Sequence, residues 1–214
     1  MKRNARVALA LVSALILSAC NSPSTESAAP AAAAAQASTG EPVTKISAEV
    51  FEKVKAAKGF QTGTLGAMPT AYVMFDPQCP HCGALWSAAK PLQAKISVKW
   101  IPVALLKPAS ETQSALLIGG ADPVALMNAH EAAIVAGGTD TLVGTPDDKS
   151  TAAARDNTAL MVRTVGSTSI PTIVYLDPAT KQPQYLAGSM PTERLASLLG
   201  VQLDAPAAAP SAAK

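Results

Sequence analysis

Apolar residues fall along the chain in short runs separated by polar or proline-bearing stretches. "VTKISAEVFEKVKAAKGF" (43–60) places Val50, Phe51 and Val54 on one side of a short amphipathic helix. "TAYVMF" (70–75) is an apolar run of strand length, and Pro80 to about Ile96 predicts a helix that kinks near Pro91. "ISVKWIPVALL" (96–106) predicts a second strand, and Pro102 within it points to a sheet edge, where a missing N–H does no damage. Residues 110 to 137 and about 150 to 165 are Ala/Leu-rich and helical, separated by the polar loop "GGTDTLVGTPDDKS". "TIVYL" (172–176), a turn through Asp177-Pro178 and "PQYLA" (183–187) predict a β-hairpin, followed by a last helix from about Pro191 to Leu199.

The predicted order is βαβ, a helical insertion, ββ and α. A βαβ unit requires parallel strands and the hairpin adds antiparallel ones, so the expected fold is α/β, a small mixed sheet covered by helices. The strand after the first helix is expected outermost.

The ends of the chain read differently. "MKRNARVALALVSALILSAC" has a basic start at Lys2, Arg3 and Arg6 and an apolar run from Val7 to Leu17, too short to span a bilayer comfortably. Residues 1–19 are therefore expected to be a signal peptide. Leu17-Ser18-Ala19-Cys20 matches a bacterial lipobox, which makes Cys20 the lipidation site and the new N-terminus. The alternative is ordinary cleavage near Ala19, leaving a spare thiol. Asn21 after the cysteine favours the outer membrane, facing the periplasm. Residues 20–42, Ala-, Ser- and Pro-rich, cannot bury enough apolar surface to offset ordering entropy and read as a flexible tether. Residues 204–214 read likewise as a disordered tail, which leaves one globular domain at 43–203 with its helical insertion at about 107–168.

Processing changes the charge. The whole chain carries 17 Lys+Arg and 15 Asp+Glu, but three of the basic residues and no acid lie in the signal peptide. The mature chain is slightly acidic, with no basic stripe to neutralise phosphates, so nucleic acid is not an expected partner.

With Cys20 lipidated, two thiols remain, in "FDPQCPHCGALW" (75–86). A loop closed between Cys79 and Cys82 restricts the unfolded chain very little, which argues against a structural staple. A structural zinc site takes four ligands, and here one pair is accompanied only by His81 and a distant His130, read as an ordinary helix-face residue. No nucleophile elbow or phosphate-cradling glycine loop is present. The placement between a strand and a helix favours a redox couple. Cys79 stands at the helix start, facing unpaired N–H groups and the positive end of the macrodipole. Pro80 suits the first helical position, and His81 adds to the stabilisation of a Cys79 thiolate when protonated. Such a thiolate is a better leaving group, so the couple becomes more oxidising. Cys82, shielded beneath it, resolves a mixed disulfide. A Cu(I) site on the same pair stays open as another class of reading, with Met74 the nearest further ligand in sequence.

Taken together, "YVMFDPQCPHCGALWSAAKPL", "PVALLKPAS", "TVGSTSIPTIVYLD" and "LAGSMPTERL" resemble the DsbC/DsbG family, over about residues 50 to 200. The resemblance implies a thioredoxin-like fold, thiol–disulfide exchange in the periplasm, and no cofactor beyond a redox-active Cys79–Cys82 disulfide, without metal. It implies that Pro171 is a cis-proline beside the couple and that Ile170 pairs with an extended substrate. Exported cysteine-containing proteins are the implied substrates, and a membrane partner, a DsbD-like reductase or a DsbB-like oxidase, recharges the site. Three departures matter. Pro80-His81 is similar to the dipeptide of strongly oxidising DsbA, Ile170 stands where the family usually has threonine, and the tether replaces an N-terminal dimerisation domain. A monomer that is a poor isomerase is therefore expected, with a DsbA-like oxidase as the rival reading.

Replacing Cys20 by Ser is expected to release the chain from the membrane fraction or block its processing. Unchanged processing and membrane association of the variant would defeat the lipid anchor.

Overall fold

The computed structural model describes residues 42–64, 70–138 and 141–203. The signal peptide, Cys20 with nearly all of the tether, and the tail lie outside these residues. At the centre of the domain is β3 (Ala71–Phe75), buried along its whole length. It alternates sides as a strand must: Ala71, Val73 and Phe75 enter one core, Tyr72 and Met74 the other. Parallel to it runs β4 (Ser97–Pro102), and antiparallel on its other side β5 (Thr172–Leu176), which forms the hairpin with β6 (Pro183–Ala187).

Two short strands complete the sheet. β1 (Thr44–Lys45) pairs with β6, and β2 (Phe60–Gly63) pairs antiparallel with β4, giving the order β1-β6-β5-β3-β4-β2. The expectation that β4 is outermost is thus corrected, because β2 covers it. Pro102 is tolerated for another reason: β2 pairs only with Ser97 to Trp100, so the missing N–H lies beyond the end of that ladder.

The helices follow their local signals. α1 (Ala48–Ala56) begins at Ser47, whose hydroxyl accepts from the Val50 N–H, and it buries Phe51 and Val54. α2 (Pro80–Ala89) does not kink at Pro91. It ends at Ala89 and passes into a 3-10 turn over Lys90–Leu92. The predicted helical stretch 110–137 is two helices, α3 (Ala109–Gly119) and α4 (Pro123–Val135). The chain turns extended at Gly120, and Asp122 caps α4 through the Ala125 N–H, with Pro123 at the first helical position. α5 (Asp148–Ala159) runs into a π-helical turn, Leu160–Val165, and α6 (Thr192–Leu198) closes the domain.

The larger core is organised by aromatic rings. Trp86 of α2 and Trp100 of β4 meet edge-on at 4.7 Å, with Phe75 and Phe60 ranged around them at 5.9 to 6.2 Å. Both indole N–H groups are satisfied, Trp86 by Asn128 of α4 and Trp100 by Thr62 of β2. Such pairs contribute beyond their buried area. Replacing Trp100 by Ala is expected to destabilise the domain by about 3–5 kcal/mol, read from urea unfolding. A loss below about 1 kcal/mol would show that the cluster is not what holds α2 and β2 to the sheet.

Candidate active site

The cysteine pair lies where β3 hands over to α2. Cys79 occupies the N-cap position with an extended backbone, and the N–H groups of Cys82 and Gly83 both point to its carbonyl, at 3.0 and 3.3 Å. Pro80 is the first helical residue, as its spacing predicts. Both thiols are free, Cys82 fully buried and Cys79 at 3% exposure, while Pro80 and His81 face solvent.

The loop that carries Cys79 is held by Asp76, itself fully buried. One carboxylate oxygen accepts from the Gln78 N–H and the Ser110 hydroxyl, the other from the N–H groups of Leu105 and Leu106. Its backbone carbonyl accepts from the Cys79 N–H at 3.0 Å. From the other side, His130 of α4 donates Nε2–H to the Pro77 carbonyl at 2.7 Å, because a carbonyl only accepts. In the neutral ring, Nδ1 then takes a hydrogen bond from Thr141 at 2.8 Å. His130 is therefore no ordinary helix-face residue: it is completely buried and supports the motif loop. Gln78 adds a polar link to Gln113 and Lys107 of the insertion.

The Ile170-Pro171 bond is cis, and the Ile170 carbonyl lies 3.9 Å from Cys79 Sγ across 91 residues of sequence. Ser167 and Thr172, hydrogen-bonded at 2.8 Å, brace the loop on either side of the pair, and the Gly188 N–H donates to the Pro171 carbonyl. The structure thus brings together Cys79, Cys82, Pro80, His81, Ile170 and Pro171. Met74 packs into the opposite core, away from the thiols. Among the described residues, no group of three or more His, Cys, Asp and Glu is placed to hold a metal ion.

Electrostatics separate the two thiols. A hydrogen bond from the Cys82 thiol is the main cause that brings Cys79 down to about 7; burial opposes it, the N–H groups of Cys82 and His81 assist, and the Asp76 charge pulls upward. His81 contributes through its backbone N–H. Cys82 is pushed well up, first by burial and then by its hydrogen bond to Cys79 and the Cys79 charge, with Glu131 adding to the rise. Glu131 of α4 was not foreseen. It is buried, its carboxyl is pushed up to about 8 by burial and by the charges of Cys79 and Asp76, and neither carboxyl oxygen has a hydrogen-bond partner among the described residues.

No family model matches the chain. Solved structures place it by architecture: it superposes on Proteus mirabilis ScsC with a TM-score of 0.55 at 16% identity, over 73% of this chain and 80% of that one. A periplasmic thioredoxin-like protein from Salmonella enterica serovar Typhimurium matches with a TM-score of 0.53 at 20% identity, over 73% of this chain and 97% of that one. The domain is a thioredoxin-like fold with a Cys-x-x-Cys pair at the start of its first long helix. Within that class the chain is DsbG-like in sequence. It is 29% identical over 160 residues to the thiol:disulfide interchange protein DsbG of Pseudomonas aeruginosa, and 26% identical over 133 residues to that of Escherichia coli. These alignments take in 72% and 60% of this chain, and 60% and 52% of the relatives' lengths.

The sign of the Cys79 shift fixes a pH dependence. Its thiolate is favoured in the folded state, so the shift stabilises the dithiol form fully above the unfolded value of 9.0, and that gain is lost as pH falls through about 7. An ultraviolet thiolate titration of the reduced protein is expected to show a midpoint near 7. A midpoint at the ordinary value of about 8.5 would contradict the Cys82–Cys79 hydrogen bond as its cause.

Proposed function

We propose that the chain is a thiol–disulfide oxidoreductase of the periplasm that exchanges electrons with cysteines of exported proteins through the Cys79–Cys82 couple, with no further cofactor. The observation that carries this reading is the division of labour between two thiols one helical turn apart. One is acidified at a helix start beside the Ile170 carbonyl, and the other is buried beneath it with its proton held. Cys79 attacks a substrate disulfide or is attacked by a substrate thiol. In the first case Cys82 then displaces the partner and the Cys79–Cys82 disulfide closes; in the second that disulfide opens, Cys82 leaves as the free thiol, and a second substrate thiol displaces Cys79. Ile170 and Pro171 form the ledge on which an extended substrate segment lies, and Pro80 and His81 set the poise of the couple. The similarity to proteins named for thiol:disulfide interchange supports the same chemistry.

In this reading the domain at 43–203 works as a monomer, tethered to the outer membrane through lipid on Cys20, and is a poor isomerase. A membrane thiol-redox partner, a DsbD-like reductase, keeps it supplied with electrons. Pro80-His81 and the acidified Cys79 favour a second reading, a DsbA-like oxidase recharged by a DsbB-like partner, because a stable thiolate makes the disulfide more oxidising.

Replacing Cys82 by Ala is expected to trap mixed disulfides between Cys79 and exported proteins, resolved by diagonal electrophoresis, and replacing Cys79 by Ala to abolish them. Absence of trapped partners would defeat the exchange reading. The resting state of the thiols, read by alkylation of whole cells, decides direction: reduced for a reductase, oxidised for an oxidase. Solution mass and recovery of a scrambled disulfide substrate test the rest, and a stable dimer with robust unscrambling would contradict the monomeric assignment.

A further inference from the structure

Past the end of β4, beside the cysteine loop, the fold leaves a cleft of about 290 Å3 that the chemistry so far described does not use. Ala104 and Glu111 form one wall. The other comes from α5 and the π-helical turn, with Arg155 and, two turns further on, Val162 and Arg163. The cleft is tied to the redox pair from both sides. The Ala104 N–H donates to the Thr158 hydroxyl, the next two N–H groups of that loop go to Asp76, and Lys107 reaches Gln78, the residue before Cys79. On the opposite wall the π-helical turn, a form frequent at functional sites, leads through Gly166 to the Ile170 carbonyl beside Cys79 Sγ. Leu105, Leu160 and Ile170 pack against the same core, so cleft and thiol share one frame.

The charges of the cleft do not balance. Glu111 is the one acidic residue lining it, and Arg155 already holds that carboxylate in a two-bond grip, at 2.9 and 2.7 Å. Arg163 is exposed and has no carboxylate partner among the described residues. Lys107, exposed on the loop between cleft and thiol, meets the neutral Gln78 side chain and no carboxylate. Arg163 lies in the last turn of its helix, where a cation is favoured by the macrodipole, and its planar fork stays open. A guanidinium takes a carboxylate through two parallel bonds, as Arg155 does in this same cleft. Val162 at 38% exposure and Leu106 at 50% add apolar surface next to the two cations.

We propose that this cleft selects the exchange partner by charge: an acidic residue in the polypeptide bound at Cys79 sets its carboxylate on Arg163, with Lys107 adding to the attraction. Cysteines whose flanking chain carries Asp or Glu are then preferred. Arg163 touches no reacting atom and acts on encounter and residence of the partner, so the sulfur chemistry is unaltered. A polypeptide fits better than a lipid surface, because the cations flank a walled cleft beside the thiol instead of spreading over an open face.

The inference rests on the exchange reading, and peptide disulfides separate the two. Two peptides, each dimerised through its single cysteine, carry either Glu or Gln on both sides of that cysteine and are otherwise identical. The full chain in dithiol form is mixed with each and quenched in acid, the released peptide thiol is followed by mass, and rates are divided by those with dithiothreitol. Wild type is expected to reduce the Glu peptide about fivefold faster at low ionic strength. That advantage should fall towards parity at about 1 M salt, where the screening length is about 3 Å. Arg163→Gln should bring the ratio close to parity and Arg163→Lys should keep most of it. Arg163→Glu should turn the preference towards a lysine-bearing peptide, an inversion that a merely structural residue would not produce. A wild-type chain that reduces neither peptide sinks both readings. One that reduces both at equal rates, or an Arg163→Glu variant that keeps the wild-type ratio, overturns this one alone. Arg163-dependent binding to phosphatidylglycerol vesicles without any preference between the peptides would give the cleft to a membrane surface, and overturns it too.

Discussion

Asp76 is the buried charge on which the geometry of the site depends. Its carboxylate gathers the N–H groups of Gln78, Leu105 and Leu106 and the Ser110 hydroxyl, so one side chain ties together the end of β3, the loop leaving β4 and the start of α3. A buried carboxylate satisfied in this way is tolerated; the same charge with a partner removed is strongly destabilising. The cysteine loop is consequently part of a rigid corner between sheet and insertion, and α4 completes that corner through His130 at the Pro77 carbonyl.

The same corner limits how many negative charges the site holds at once. Asp76, Cys79 and Glu131 are close enough to repel one another through a medium that screens poorly, and Asp76 alone has a full set of donors. Of the other two, it is Cys79 that the site favours with a charge. The hydrogen bond from Cys82 lets Cys79 hold it in the dithiol form, and the strain on Glu131 is the counterpart of that preference. The helical insertion is thus more than a cover over α2, since two adjacent residues of α4 reach the cysteine segment, His130 gripping its backbone at Pro77 and Glu131 lying against Gly83.

Much of this was legible in the sequence, because the elements next to the chemistry carry strong local signals. The apolar run of β3, the proline opening α2 and the hairpin signals around Asp177 specify themselves. β2 does not: of Phe60 to Gly63 only Phe60 is a large apolar residue, and the strand exists because β4 offers it an edge. Its absence from the reading also misplaced Pro102. The break between α3 and α4 was marked by Gly119-Gly120 and Asp122-Pro123, a stop followed by a start, inside a composition that looked uniformly helical. His130 and Glu131 were hidden for a different reason. In an Ala-rich helix the apolar period is shallow, so which face turns inward is decided by docking on α2 and leaves little trace in spacing. Gly83 in mid-helix was the available clue, since a glycine there marks a close neighbour.

The aromatic contact beneath α2 has an optical consequence. Trp86 and Trp100 are the two tryptophans of the entire chain, and they touch each other. Indole emission from the protein therefore arises at a single locus, where the cysteine-bearing helix meets β4, with Trp86 about one turn beyond Cys82. Whatever shifts α2 against the sheet, whether closure of the disulfide or capture of a partner, changes the surroundings of the chromophores themselves. The molecule thus carries both of its indoles as one intrinsic probe beside the thiols, with no label needed.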